Sequence, residues 1–229
     1  MKRGCFLLSL ALAFPMAAEV PVPAALETAH LLGKGRPAGA PPVSLQDELF
    51  VLAMGSNNQM GYLERVSMPG ESWLFRARVV DLVDDSLIWE QIWVTDEEID
   101  RWWPEQGGGV MRSLKSHHLE PVDFQMGEFP VILDDQFYTA TLRRTASASD
   151  PALFGRLEVV VQSTGQGIKT VCDLSGAWRW ASVLGFIPSP FENRLAIILL
   201  VQPEGWSGPQ QPLRFLVAGA SLKAGFAQP

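Results

Sequence analysis

The segment Trp73-Leu74-Phe75-Arg76-Ala77-Arg78-Val79 decides the fold class of this chain. Its bulky and apolar residues alternate with arginines, which is the period-two pattern of a strand with one buried face. Pro69-Gly70 precedes the segment and Asp84-Asp85 follows it, and both pairs are typical of tight turns. We therefore expect a β-strand here that is joined to a neighbouring strand at each end.

The sequence on both sides of this segment extends the β pattern into a first β block, residues 46–94. Leu49–Met54 is an apolar run, Gly61–Ser67 follows a turn-like Ser-Asn-Asn-Gln stretch, and Leu87–Val94 contains two tryptophans. Short strands separated by turn residues favour antiparallel pairing of sequence neighbours. The block is predicted to be a four-stranded antiparallel meander.

A helical middle segment is predicted over residues 95–120. Thr95 and Glu98 have the spacing of a capping box, in which the hydroxyl of the first residue accepts from the amide of the fourth. Pro104 and Gly107–Gly109 predict an early end to this helix, because both residue types disfavour helix interiors. A second short helix is expected over Val110–Leu119.

Residues 121–222 form a second β block in this interpretation. Asp134-Asp135 predicts a hairpin turn, and Leu195–Val201 is apolar at every position, which predicts a strand covered on both faces. The strand-like segments are Phe129–Leu133, Gln136–Arg144, Leu157–Val161, Ile168–Leu174, Ala177–Ile187, Arg194–Gln202 and Leu213–Ala218. The predicted fold class is mainly β: two antiparallel four-stranded meanders, blade-like or sandwich-like, with a short two-helix middle segment. Residues 46–222 would form a single β-rich domain.

The first 18 residues predict where the protein works. Lys2 and Arg3 precede the apolar run Gly4–Phe14, and small residues close the segment at Ala17-Ala18. This order is that of a secretory signal peptide. The run is too short for a membrane span, which needs about 20 residues. We expect a signal peptide over 1–18, a Pro/Ala-rich leader over 19–45, a secreted or periplasmic location, and no membrane span in the mature chain.

Charge and cysteine content narrow the possible partners. The formal net charge is −7, so phosphate backbones would be repelled and nucleic acid is excluded as an expected partner. Cys172 is the single cysteine outside the predicted signal peptide, which excludes an intrachain disulfide in the mature protein. Alternation over Ile168–Leu174 places Cys172 on the apolar side of a strand, as a buried small residue.

The eight tryptophans supply the candidate site residues. Trp103 lies beside the acidic helix start and Trp206 lies in a Gly/Pro-rich loop, so these two are the expected exposed candidates for ligand binding. Indole rings offer a large, rigid contact area to a sugar or a peptide. The alternative is that most tryptophans fill the seam between the β blocks and the helical middle.

No catalytic set, metal site or cofactor is predicted from the sequence. His117 and His118 are adjacent, and adjacent helical residues point about 100° apart, whereas two histidines on one metal favour an i, i+4 spacing. The acidic pairs fit turns and helix caps. Carboxylates such as Glu98 and Asp134 leave one enzymatic alternative, a glycan hydrolase with two facing carboxyl groups.

Ser189–Ala196 resembles the Ser-Pro-Asp-Gly-x-x-Leu-Ala turn and strand of TolB-like and WD-type β-propeller blades, with Phe191-Glu192 in place of Asp-Gly. Ser44–Val51 is a fainter copy. Together with the Gly205–Pro209 loop, the layout is similar to a family of predicted secreted bacterial proteins of unknown function. The resemblance implies secretion and a blade-like β fold, and it implies no activity.

Three function hypotheses follow from these observations. The first is a non-enzymatic binding or interaction module with a protein or glycan partner. The second is the carboxylate-based glycan hydrolase. The third is a structural component of an envelope assembly.

Overall fold

The computed structural model describes residues 20–26, 47–68, 70, 72–204 and 214–227. Within these residues the chain forms eleven strands and one helix, so the predicted mainly β class with two antiparallel sheets is confirmed. The elements are β1 Glu48–Met54, β2 Gln59–Met68, β3 Ser72–Asp81, β4 Leu87–Thr95, α1 Ile99–Ser116, β5 Glu120–Pro121, β6 Val131–Leu133, β7 Gln136–Ala146, β8 Phe154–Ser163, β9 Gly167–Pro188, β10 Arg194–Pro203 and β11 Arg214–Ser221. The predicted signal peptide and residues 27–46 lie outside the described part of the chain.

The first sheet has the strand order β4-β3-β2-β1-β5. Its first four strands form the predicted meander, and β3 contains the alternating segment that predicted it. The sheet has five strands instead of four because residues after the helix return to its far edge. There Ala53 pairs with Pro121 and Met54 pairs with Glu120.

The second sheet has the order β11-β10-β9-β8-β7-β6, which makes six strands instead of the predicted four. The hairpin at Asp134-Asp135 is confirmed, and both residues have positive φ angles, 49° and 58°, as a tight two-residue turn requires. The prediction of two strands over Ile168–Leu174 and Ala177–Ile187 is wrong. Both belong to β9, a single 22-residue strand that pairs with β8 along its first half and with β10 along its second.

The C-terminal tail returns to this second sheet. Ile168 and Ala227 exchange two backbone hydrogen bonds of 3.0 and 2.8 Å, so the tail lies beside the first half of β9. Next to this bridge the Lys169 ammonium donates to the carbonyls of Ser221 and Ala224 and lies 4.6 Å from the centre of the Phe226 ring. The sheet therefore curls around its own apolar face.

The helical middle differs from its prediction. One helix, α1, runs through Pro104 and Gly107–Gly109 where two helices were expected. Burial explains the difference, because Val110 and Leu114 pack against the first sheet and this outweighs weak local propensity. Gly107 is required there, since an added Cβ would lie 2.5 Å from the Trp103 ring.

The predicted capping box is also wrong. The Thr95 hydroxyl accepts from the amide of Glu97 at 3.1 Å, so it does not cap through the fourth residue. Glu98 instead pairs with Arg65 at 2.6 Å and accepts from the Trp73 indole at 3.2 Å. The residue before the helix thus attaches α1 to strands β2 and β3.

The molecule is layered in the order helix, first sheet, second sheet. One face of the first sheet packs against α1, and its other face contributes to the apolar cluster between the two sheets. In β10, Ile198 and Leu200 point into this intersheet cluster, while Ile197 and Leu199 point into the curl of the second sheet. The prediction that this strand is covered on both faces is confirmed.

A polar joint connects the β3–β4 turn to the second sheet. The Asp85 carboxylate accepts from the backbone amide of Gly219 at 2.7 Å, and Arg194 donates to the carbonyl of Leu82 at 2.6 Å. Among the described residues, no helix is both long enough and apolar enough to cross a membrane.

Candidate functional site

Of the two tryptophans that the sequence predicted as ligand-binding residues, the structure describes one. Trp206 and the Gly205–Pro209 loop lie outside the described residues. Trp103 is 1% exposed, so the expectation of an exposed ring is wrong. Its position nevertheless directs attention to an apolar cleft, because its indole forms part of one wall.

Neighbouring aromatic residues hold the Trp103 segment of α1 in place. Trp102 stacks on Phe75 of β3, with ring centroids 4.2 Å apart and planes 7° from parallel. Trp93 of β4 meets Trp102 edge-on at 5.2 Å. These contacts fix the first turns of α1 on the sheet. Because consecutive helical residues point in different directions, Trp103 lies beside Trp102 on another part of the helix surface.

The Trp103 indole binds the N-terminal leader. Its Nε1–H donates to the carbonyl of Pro21 at 2.8 Å, which connects residues that are 82 positions apart. Five residues further on, the amide of Leu26 donates to the carbonyl of Leu49 in β1 at 2.8 Å. The docked segment Val20–Leu26, which we call the leader segment, is thus attached at both ends through backbone atoms.

Apolar contacts accompany these two hydrogen bonds. Val20 and Ala25 pack against the cluster under α1, while Leu26 packs against the cluster between the sheets. Pro21 and Pro23 have no backbone N–H, so these two positions need no hydrogen-bond acceptor when they are docked. The leader segment therefore contacts both hydrophobic clusters that border the first sheet.

A cleft of about 360 Å³ remains beside the docked leader segment, and we call it the leader cleft. Its walls come from the leader segment, from β1, from α1 and from the stretch formed by β5 and the connection after it. Outside the leader segment its lining residues are Val51, Leu52, Trp103, Met111, Pro121, Val122, Asp123 and Phe124. The volume and the predominantly apolar walls match those of small-ligand sites.

The leader cleft contains one ionisable side chain, Asp123, which is exposed. The same connection, Val122–Gln125, also borders a second, more open recess of about 340 Å³ against Ile187–Pro190. The connection thus separates two concave surfaces. The leader cleft is the more enclosed of the two and has the buried indole in its wall.

The carboxylates considered for hydrolysis are not brought together at this cleft. Glu98 is engaged with Arg65 and Trp73 at the start of α1, beside the first sheet. Asp134 lies in the β6–β7 turn of the second sheet. Neither side chain lines the leader cleft or the second recess.

The two adjacent histidines lie at the C-terminal end of α1. His117 ends α1, with its ring 6.1 Å from the Trp89 ring, and His118 follows with a positive φ of 61°. In the part of the chain that the structure describes, no three His, Cys, Asp or Glu side chains are grouped as ligands of one metal ion.

Cys172 is half-buried, not fully buried as predicted, and packs against the apolar cluster in the curl of the second sheet. Val171, which the alternation placed on the opposite face, packs against the same cluster, because the pairing of β8 with β9 shifts register here. Burial, together with the charges of Asp85 and Asp173, raises the pKa of its thiol to about 12. The thiol is therefore protonated at neutral pH and a weak nucleophile.

The structure also contains a buried carboxylate that the sequence analysis missed. Glu64 of β2 is 2% exposed and lies 3.4 Å from Arg76 and 3.5 Å from Arg78. Burial raises the pKa of Glu64, although both arginines act to lower it. The available signal was the predicted pairing of these neighbouring strands, since it places Glu64 opposite Arg76 and cross-strand pairs of opposite charge stabilise sheets.

The comparisons with known proteins give no relative. No protein-family model matches the chain, and neither a curated protein nor a solved structure is significantly similar to it.

Proposed function

We propose that the protein is an exported, non-enzymatic binding module whose ligand site is the leader cleft. The observation that carries this proposal is the cleft itself: about 360 Å³ of apolar space, with the Trp103 indole in its wall. The signal-like first 18 residues support export, and so does the resemblance to predicted secreted proteins with blade-like motifs. Both remain predictions.

The chemistry of the walls defines the ligand class. Aliphatic and aromatic side chains bind a ligand mainly by removing its apolar surface from water, at about 25 cal/mol for each Å² buried. Asp123 is exposed and adds a negative charge, which is screened by solvent and contributes little. The expected ligand is therefore predominantly apolar.

Nuclear magnetic resonance of the full exported protein tests this proposal with a set of small apolar fragments. Binding at the leader cleft shifts the indole N–H resonance of Trp103 and the amides of residues 121–124. A Met111→Trp variant, which fills the cleft with a larger side chain, is expected to lose these shifts. Ile92→Trp on the exposed face of β4 is the matched control and should retain them. Fragments that shift only resonances elsewhere would contradict the proposal.

A second candidate, a structural component of an envelope assembly, is supported by β4. Its residues Leu87, Ile88, Ile92 and Val94 are between 42% and 62% exposed, and β4 is the outermost strand of its sheet in the described chain. Exposed apolar strands at sheet edges favour association. Analytical ultracentrifugation over a hundredfold concentration range tests this, since assembly predicts a rising mass that Ile92→Asp reduces.

A further inference from the structure

The strongest unexplained feature of the leader cleft is that a segment of the same chain already occupies one side of it. We propose that the leader segment is an exchangeable occupant, and that the ligand of the cleft is an extended, proline-containing apolar peptide segment of another protein. This inference rests on the proposed function and names its ligand class. It makes the leader segment an internal competitor for the site.

The recognition chemistry supports a peptide ligand. Both polar anchors of the leader segment are backbone atoms, the carbonyl of Pro21 and the amide of Leu26. An indole N–H that donates to a backbone carbonyl makes no demand on the side chain at that position. An extended proline-containing chain presents such carbonyls unpaired, because it forms no internal hydrogen bonds.

The side-chain contacts add a simple sequence requirement. Val20, Ala25 and Leu26 pack into apolar clusters, so these positions favour small or medium apolar residues. The prolines between them restrict the unbound segment to extended conformations, which lowers the entropy lost on docking. Aromatic-lined grooves are a general solution for binding proline-containing segments of this kind.

The attachment of the leader segment favours exchange. Among the described residues, two hydrogen bonds to its backbone and the apolar contacts of Val20, Ala25 and Leu26 hold it, and residues 27–46 connect it to β1. The open volume beside it leaves room for an incoming segment to begin contact before the leader segment leaves. A tethered competitor acts at an effective concentration of about a millimolar, so it weakens an external ligand without abolishing its binding.

Controlled cleavage of the exported protein tests the exchange. A protease site is inserted between residues 27 and 46, the folded protein is cut, and the released N-terminal fragment is removed by dialysis. A fluorescent synthetic peptide with the sequence of residues 19–26 is then titrated in, and its anisotropy reports binding. We expect saturable binding to the cut protein, and binding at least about tenfold weaker to the uncut protein.

Two matched variants identify the mode of binding. Trp103→Phe keeps an aromatic ring but removes the N–H. It should weaken binding of the peptide by up to about tenfold, which is the effect of one lost hydrogen bond. A peptide with glycine at both proline positions keeps the backbone carbonyls and loses the extended bias, so it should also bind more weakly. Equal affinity of both peptides would overturn the requirement for proline.

Two further outcomes would overturn the inference. The first is a cut protein that keeps its circular dichroism spectrum, has lost the fragment and binds no peptide. The second is a protein that unfolds when the fragment leaves, because the leader segment is then an integral part of the fold. In the first case apolar fragments could still bind the cleft of the uncut protein, so the proposed function would stand while this inference fails.

Discussion

Strands β10 and β4 have similarly apolar sequences but very different surroundings. In β10 the eight residues Leu195–Gln202 are all buried, whereas β4 has no fully buried residue. The difference is position, since β10 pairs on both edges and lies between two apolar clusters, while β4 is the outermost strand of its sheet. The layers above and below a strand, more than its own hydropathy, determine its burial.

The two faces of β4 are themselves unequal. Trp89 and Trp93 point toward α1 and pack against the cluster beneath it. Ile92 and Val94 point the other way and are 48% and 62% exposed. Substitutions on β10, on the inner face of β4 and on its outer face therefore test one comparison at three levels of burial.

Leu199→Asp in β10 should have the largest effect. The side chain is 0% exposed inside the curl of the second sheet, and a carboxylate there would have no partner of opposite charge that the structure shows. We expect a loss of at least about 4 kcal/mol in the free energy of unfolding, which combines lost apolar burial and an unpaired buried charge. Urea denaturation measures it, and an unchanged midpoint would contradict the central position of β10.

Trp93→Ala on the inner face of β4 should have an intermediate effect. The ring is only partly buried, but it meets Trp102 edge-on and covers the start of α1. We expect a loss of about 2 kcal/mol, below the 3–5 kcal/mol typical of fully buried aromatic residues. Thermal unfolding followed by circular dichroism gives the value, and a loss equal to that of Leu199→Asp would mean that β4 is as central as β10.

Glu64→Gln should change how stability depends on pH. Burial raises the pKa of Glu64 in the folded protein above its ordinary value of 4.5. The folded state therefore binds a proton more readily than the unfolded state, and the contribution of Glu64 to stability increases as the pH falls from 7 toward 4.5. The wild-type protein should gain stability relative to Glu64→Gln over this range.

Unfolding of both proteins at several pH values provides the measurement for Glu64. The groups around this carboxylate are Arg76, Arg78, Asp47 and Glu90, and all of them remain in the variant. If the difference in the free energy of unfolding between the two proteins does not change with pH, the two arginines cancel the effect of burial on the pKa of Glu64.

Ile92→Asp on the outer face of β4 should have the smallest effect on stability. The same kind of substitution that disrupts β10 here places the carboxylate in water, so we expect a change within about 0.5 kcal/mol. Chemical denaturation at low protein concentration, where chains do not associate, is the appropriate measurement. A loss of several kcal/mol would show that this face is covered in the folded protein.

Much of the fold could be predicted from local sequence. Alternation and turn residues located β1 to β4, the hairpin at Asp134-Asp135 and the fully covered β10, because each of these signals lies within a few residues. Tertiary packing overrode the local signals elsewhere. Pro104 and Gly107–Gly109 predicted a break in a segment that the first sheet holds helical. The predicted segments Ile168–Leu174 and Ala177–Ile187 are joined into β9, where Ser175 pairs with Arg156 of β8.

The candidate site could be predicted only in part. Trp103 was chosen for its residue type, but as an exposed platform, whereas its ring is buried and its N–H is used by Pro21. The leader cleft combines walls from four separate parts of the chain, and no local sequence pattern indicates that these parts lie close together in space. The Val-Pro-Val-Pro sequence of the leader was the available signal, since it favours an extended segment ready to dock.

The bridge between Ile168 and Ala227 also constrains the order of folding. It joins residues 59 positions apart, so the first half of β9 lacks this neighbour until residue 227 has left the ribosome. Because so many residues separate the two partners, their pairing costs more loop-closure entropy than the pairing of β9 with β8 or β10, so we expect the tail to join β9 after those strands have paired.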